Sequence, residues 1–560
     1  MVLFFRIKEA LVFAFSEAPL LFFGLAFILG IWLQLAFQSL LLVFLVLFFS
    51  IFFLIFLALF FFSLSKRKRL SKNKKKSTNK RLSKNKKLVF IFLFLILAGY
   101  LETYFLHPSF LKVAEKTPAT AIFKIDSIAE TTTYKKAYLL KGTLKTLQLV
   151  SENSENSKNI KNDENTENTE RIENKTYYNL PCTVYCSQKK RPTADKIYAL
   201  EGTVRNRSPY YYIFKAQKNL KPIGSCWNFL AEKRFVMQKK LERLLRKKLK
   251  HKSSFIFLNS QMTGSMKSNL WRFIFTKTGM QHILAISGFH FMALLFFFSF
   301  FLKRLPFARF LPWTLLVLIS LYALYIGPSP SVQRAWIASL VILSAQILGK
   351  NNFALNTLGL ALLFELVIDP INLTALSFQL SFLSVGAILF LYQPLSDFLS
   401  RWLQKRTAFD CKGLNLLEKT GAHFINYLRA ALTISLSVSL CLIPVLLFYF
   451  HSFPLLGLVY NLFFPILISF SFYLLLIALL TLPLASIIPL STIFFFLADH
   501  SAAFSLNLLA SYPQCLNFSL RTKSLSFPLV VIWLLGFFLG ALLFKYRTKS
   551  ALNPQPIFNI

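Results

Sequence analysis

Four short polar groups interrupt otherwise apolar stretches, and they hold the residue types with which this chain could do chemistry. His282, Ser287, Gly288 and His290 belong to HILAISGFH. Ser329, Ser331 and Arg334 belong to GPSPSVQRA, from Gly327 to Ala335. Gln379 and Ser381 lie in SFQLSF, after Asp369-Pro370, and Asn461 lies within FHSFPLLGLVYNLFFP, Phe450 to Pro465. A polar group at membrane depth is costly, so it usually faces a cavity, a partner or a neighbouring helix. Arg334 can serve as a cation in a passage, able to meet a phosphate, or can snorkel to the headgroups. Pro328 and Pro330 forbid a continuous helix beside it. Gly288 is expected to let helices approach closely, and for Gln379, Ser381 and Asn461 interhelical bonding and lining of a passage are equally open. No catalytic residue, metal site or cofactor is expected. His282 and His290 are eight apart and share a helix face only loosely, and no nearby carboxylate or thiol completes a zinc set or orients a base. A phosphate-binding G-x-x-x-x-G-K-[ST] loop is absent.

The elements that position these groups must be membrane helices. Hydrophobic residues make up 55% of the 560-residue chain, above the usual soluble proportion, and they run in long blocks. Ser39–Leu64 contains no charge and exceeds the ~20 residues that cross a bilayer as a helix. Three spans are expected in the segment 1–106, at about 19–37, 39–64 and 88–106. The loop 65–87 between the second and third carries thirteen basic residues and no acidic one, which places it in the cytoplasm. A second membrane segment, 282–544, holds nine candidate spans, at about 282–302, 311–327, 331–349, 353–368, 371–392, 429–450, 455–480, 485–508 and 525–544. Pro465, Pro483 and Pro489 could break helices there, so about 10–12 spans are expected in all. Basic residues again fall on the inner side, so the N-terminus and the tail 545–560 are expected in the cytoplasm of a bacterial cell, and the chain in its inner membrane.

Residues 107–281 are polar and are expected to form a β-rich extracytoplasmic domain. Short strands around the Gly142-Thr143 and Gly202-Thr203 turns suggest a small barrel of OB type. Residues 151–175, rich in Ser, Glu, Asn and Lys, read as a disordered insertion. Residues 229–252 form an amphipathic helix with ten Lys and Arg against Glu232 and Glu242, suited to lie on headgroups or to guide a polyanion. A net charge of +41 is compatible with either partner. On one strand, Cys182 and Cys186 would share a face but stand too far apart to pair, which leaves Cys226 as a disulfide partner for either.

Taken in order, HILAISGFH, SPSVQRA, Asp369-Pro370 with SFQLSF, and Phe450-His451 with Asn461 and Pro465 resemble the ComEC family of DNA-uptake proteins. PLLFFGLAFILGIW, Pro19 to Trp32, resembles the start of that family. The resemblance implies an inner-membrane channel for single-stranded DNA during natural transformation, with the outer domain receiving the DNA and the polar groups along the pathway. It implies a bilayer, a separate DNA receptor, a nuclease, a cytoplasmic ATPase or helicase, and a homo-oligomer as partners. Many members carry a metallo-β-lactamase-like domain that is expected to be absent here. Met262–Ser268 also departs from the more charged segment the family implies. A secondary transporter of a small or lipid-linked anion, and a membrane-anchored DNA-docking module, remain open alternatives.

Overall fold

A computed structural model describes residues 23–29, 31, 99 and most of 117–552. The undescribed stretches in that last range are chiefly 131–136, 150–175, 188–190, 305–309, 350–353, 405–414, 485–488 and 512–517, with a few further positions that include Ser287 and Pro328. The first three expected spans, the basic loop and the insertion 151–175 therefore lie largely or wholly outside the described residues.

Six strands come first: β1 (Thr117–Glu130), β2 (Ala137–Leu149), β3 (Thr176–Ser187), β4 (Lys196–Ser208), β5 (Tyr211–Ala216) and β6 (Lys221–Ser225). The pairing circuit β1-β2-β3-β5-β4 closes through β1–β4, with β3 and β5 parallel and the other pairs antiparallel. This is a five-strand barrel of OB-type connectivity, with β6 added along β4. Period-two alternation fills it, because every second side chain points inward. Phe123, Ile125, Leu140, Val184, Leu200 and Phe214 are all buried in one core. The long β1 serves both β2 and β4, and register shifts at Ile122/Phe123 and Ile125/Ser127 bend it enough to do so.

The two Gly-Thr pairs differ from the sequence reading: they lie inside β2 and β4, not in turns. A Cβ at Gly142 would sit 1.9 Å from the Lys124 carbonyl oxygen, and one at Gly202 would sit 2.1 Å from that of Lys215. Glycine stands there because strands cross too closely for a side chain.

The expected disulfide is not formed. Cys182 and Cys186 do lie on one strand and both are buried in the barrel, but they and Cys226 are free thiols. The Cys226 Sγ lies 3.3 Å from the Ala194 carbonyl oxygen, and the Cys186 Sγ lies 3.8 Å from that of Tyr138. Burial pushes the Cys186 thiol up to about 11 and raises that of Cys182 as well. Thiolate is the reactive form. Brief alkylation of the native chain near neutral pH is therefore expected to modify Cys226 and spare Cys182 and Cys186. Peptide mapping checks this, and modification of all three before denaturation would contradict it.

After the barrel come α1 (Phe229–Lys248), α2 (Lys252–Thr263) and α3 (Asn269–Lys277). The expected basic helix 229–252 thus ends at Lys248, and Leu249–His251 forms a corner into α2. Glu232 ties α1 to the barrel, accepting hydrogen bonds from the Arg191 guanidinium and from the Ala194 amide at 3.2 Å. Further along α1, burial opposes ionisation of Glu242. Hydrogen bonds and charge from Lys267 and Lys239 outweigh it and hold that carboxyl below its usual range.

The boundary drawn at residue 281 falls inside a packed unit. Leu245, Phe257, Leu258, Phe275 and Met280 share one core with the helices that follow, because α2 has too many apolar side chains for a solvated linker. Those helices are α4 (Gly288–Leu302), α5 (Leu311–Ile326), α6 (Pro330–Ile347), α7 (Ala354–Ile368), α8 (Leu376–Leu399), α9 (Leu416–Phe450), α10 (Leu456–Leu480), α11 (Leu490–Ala510) and α12 (Phe527–Leu552). A two-stranded ribbon pairs β7 (Ser452–Pro454) with β8 (Ser519–Arg521).

Among the described residues, α8, α9, α10 and α11 are long and apolar enough to cross a membrane, and α4, α5, α7 and Pro528–Ala541 of α12 are shorter apolar helices. Phe296, Phe470 and Phe504 are each more than half exposed, which suits contact with lipid. The chain is a membrane protein. Pro465 lies inside an unbroken α10, while Pro483 and Pro489 fall in the connection to α11, so neither of these helices is broken. The α9 helix begins earlier than the expected 429, where Asn415 and Glu418 form a capping box.

Candidate functional site

Arg334 is the centre of a polar cluster in the bundle. It lies in the second turn of α6, whose start is fixed by Ser329 in extended conformation and by Pro330 in the first turn. Its side chain does not snorkel outward: the residue is only 8% exposed. The guanidinium donates to the Ser381 carbonyl oxygen on α8 and lies 5.8 Å from the centre of the Phe382 ring. Gly288, the first residue of α4, faces it. A Cβ there would meet the Arg334 Nη2 at 3.7 Å and no other atom within 4 Å, so this glycine borders the guanidinium instead of admitting a close helix contact as expected.

Three further expected residues, Ser329, Ser331 and Gln379, join the same region. The Ser331 hydroxyl donates to the Ile286 carbonyl oxygen at 2.9 Å, and Ser329 and Ser331 hydroxyls stand 3.4 Å apart. Gln379 bridges two elements: its amide donates to the Leu373 carbonyl oxygen at 3.0 Å, and its Oε1 accepts from the Tyr449 hydroxyl at 3.1 Å. Gly288, Ser329, Ser331, Arg334 and Ser381 thus gather where α4, α6 and α8 meet, and Gln379, two residues before Ser381, ties α8 to α9.

The remaining expected residues lie apart. His290 turns into the core, with its Nε2 2.5 Å from the Gln261 Oε1 on α2 and its ring edge-on to Phe472. It is a satisfied core histidine, tying α2 to α4. His282 is exposed in the short turn before α4. Ser287 is outside the described residues. Asn461 lies on α10, its Oδ1 buried without a hydrogen-bond partner.

Glu365 was missed by the sequence reading. It is 1% exposed on α7, and both carboxylate oxygens are buried without a hydrogen bond. Its charge and that of Arg334 act on each other. The signal was present as the lone acidic residue in ALNTLGLALLFELVI. Isolated buried ions are expensive, and a pair repays that cost only with good geometry and further hydrogen bonds. Here one cation and one acid lie in the same apolar bundle, and the acid makes no hydrogen bond.

The link from barrel to bundle ends beside this cluster. From α1, the Arg234 Nε donates to the Leu324 carbonyl oxygen at 3.0 Å and the Gln238 amide donates to that of Tyr325 at 3.1 Å. These are free carbonyls of the last turn of α5, where a cation and an extra donor are both favourable. The following Gly327 has φ +98°, and the Arg234 guanidinium occupies the space that a Cβ there would need.

A family model described as Competence protein matches residues 263–547, just over half of the chain. No curated protein and no solved structure matches. The matched range takes in the whole polar cluster and α3 to α11, and it starts after the barrel.

Proposed function

Because the chain belongs to the competence protein family, we propose that it forms the inner-membrane passage through which single-stranded DNA enters the cytoplasm during natural transformation. The observation that carries this reading is Arg334, a buried cation held among apolar helices beside an unbonded Glu365 and open on one side to Gly288. A strand bearing one negative charge per nucleotide cannot cross bare lipid, so it needs a lined path with cationic groups. On this reading the barrel and the basic face of α1 stand outside the cell and receive the strand, as OB-type barrels and basic grooves suit sequence-independent binding. Both termini are cytoplasmic. A separate receptor, nuclease and ATPase or helicase act with the chain, which itself performs no catalysis.

The test is uptake of labelled DNA into the cytoplasm of a strain lacking the gene. Loss of cytoplasmic label with surface binding intact supports the proposal, and unchanged transformation refutes it. The anion-transporter alternative predicts the opposite pattern: normal DNA uptake in the deletion strain, and transport of a small anion by vesicles containing the purified chain.

A further inference from the structure

The corner between α1 and α2 rests on the middle of α11, and three metal-ligating side chains meet there. Asp499 on α11 is 2% exposed. One of its oxygens accepts from the Lys250 amide at 2.9 Å and the His251 amide at 3.2 Å, and it lies 3.0 Å from the His251 Nδ1. Ser254 donates to the Asp499 carbonyl oxygen at 2.8 Å, fixing α2 against the same turn. His500, next along α11, places its Nδ1 2.9 Å from the Phe496 carbonyl oxygen. A carbonyl can only accept, so that bond puts the His500 proton on Nδ1 and leaves the Nε2 lone pair free. A backbone carbonyl behind an imidazole is a common outer support of a metal-bound histidine. The two imidazoles are 5.1 Å apart between ring centres.

We propose that His251, Asp499 and His500 form a site for a divalent transition-metal ion such as zinc, which staples the α1–α2 corner to α11. One ligand atom from each residue lies within 4.8 Å of the others. Around a tetrahedral zinc with bonds of about 2.0–2.1 Å, ligand atoms are about 3.3 Å apart. The set closes by a movement of about an ångström, which the two exposed imidazoles can make while the buried carboxylate stays fixed. Two imidazoles and one carboxylate select zinc and its neighbours over calcium or magnesium, which prefer oxygen. Both imidazoles are exposed at the protein surface, so the protein leaves an approach to the site on that side. Lys250 and Lys252 flank the corner and oppose a cation, and the charge of Asp499 offsets them. The sequence concealed this set because 248 residues separate His251 from Asp499.

The test uses the full chain purified in detergent with any affinity tag removed, stripped with a chelator, exposed to zinc and dialysed. About one zinc per wild-type chain is expected by elemental mass spectrometry. His500→Gln and His251→Gln each lose at least about tenfold in zinc affinity, as loss of even an outer support costs 10–100-fold. His500 is exposed, so His500→Gln is expected to fold. Zinc should raise the thermal unfolding midpoint of the wild type and leave that of His500→Gln unmoved. Cobalt should give a tetrahedral absorption band in the wild type alone. Zinc absent from the wild type, or held equally by His500→Gln, overturns the proposal, as does an equal thermal shift in both. The readout is independent of DNA uptake, so it stands or falls apart from the transport reading.

Discussion

Replacing Arg334 with Ala is expected to lower cytoplasmic uptake of labelled DNA by at least about tenfold. Among the described residues, the substitution removes the one cation of the gathered cluster and leaves the Ser381 carbonyl without its donor. Deleting a buried cation that stands in the same bundle as a buried acid is itself destabilising, because the acid keeps its charge with less compensation. Loss of uptake through misfolding must therefore be separated from loss of a contact to DNA. The double variant Arg334→Ala with Glu365→Gln does this, since it removes both charges. It is expected to recover most of the thermal stability and the membrane abundance of the wild type while uptake stays low. Arg334→Lys keeps a charge but not the planar fork, and should fall between wild type and Ala. Normal uptake by a well-folded double variant would reduce Arg334 to a structural residue and remove the main support for the transport reading.

The second large effect concerns the barrel. Gly202→Ala puts a methyl group 2.1 Å from the Lys215 carbonyl oxygen and 2.9 Å from the Phe214 ring, both fixed by the β4–β5 pairing. Backbone cannot give way as a flexible side chain can, so the cost is expected to exceed the 1–3 kcal/mol of ordinary overpacking. Gly224→Ala is the matched control, because a Cβ there meets nothing within 4 Å and the residue lies exposed in β6. Limited proteolysis of the full chain should cut the barrel of the first variant and spare that of the second. Equal resistance in both would mean that the strands can separate at this crossing without unfolding.

These two sites also mark how far the sequence could be read. The clustering of Arg334 with Gly288, Ser381 and Gln379 was visible as polar residues in apolar runs, because cost in lipid makes each of them conspicuous. Which of them touch was not visible, since it depends on how four helices from distant parts of the chain pack. His290 shows the difference: its position in HILAISGFH suggested the pathway, yet the side chain turns to Gln261, a residue in a segment that the sequence assigned to the outer domain. Glu365 was hidden by being single, and Asp499 by its distance in sequence from His251. The barrel strands were legible from their alternation, but the glycines within them looked like turns. Only closure of the circuit reveals the carbonyl that lies where a side chain would be.

Arg234 has a mechanical meaning beyond its hydrogen bond. It lies in the second turn of α1, two residues from Glu232, which grips the barrel, and its guanidinium fills the niche at Gly327. Seven residues past that glycine is Arg334. A load on the barrel therefore has a short route toward the cation in the bundle: through the start of α1 and onto the carboxyl end of α5, where Gly327 precedes α6. On the transport reading proposed above, a strand pulling on the barrel would apply torque close to Arg334.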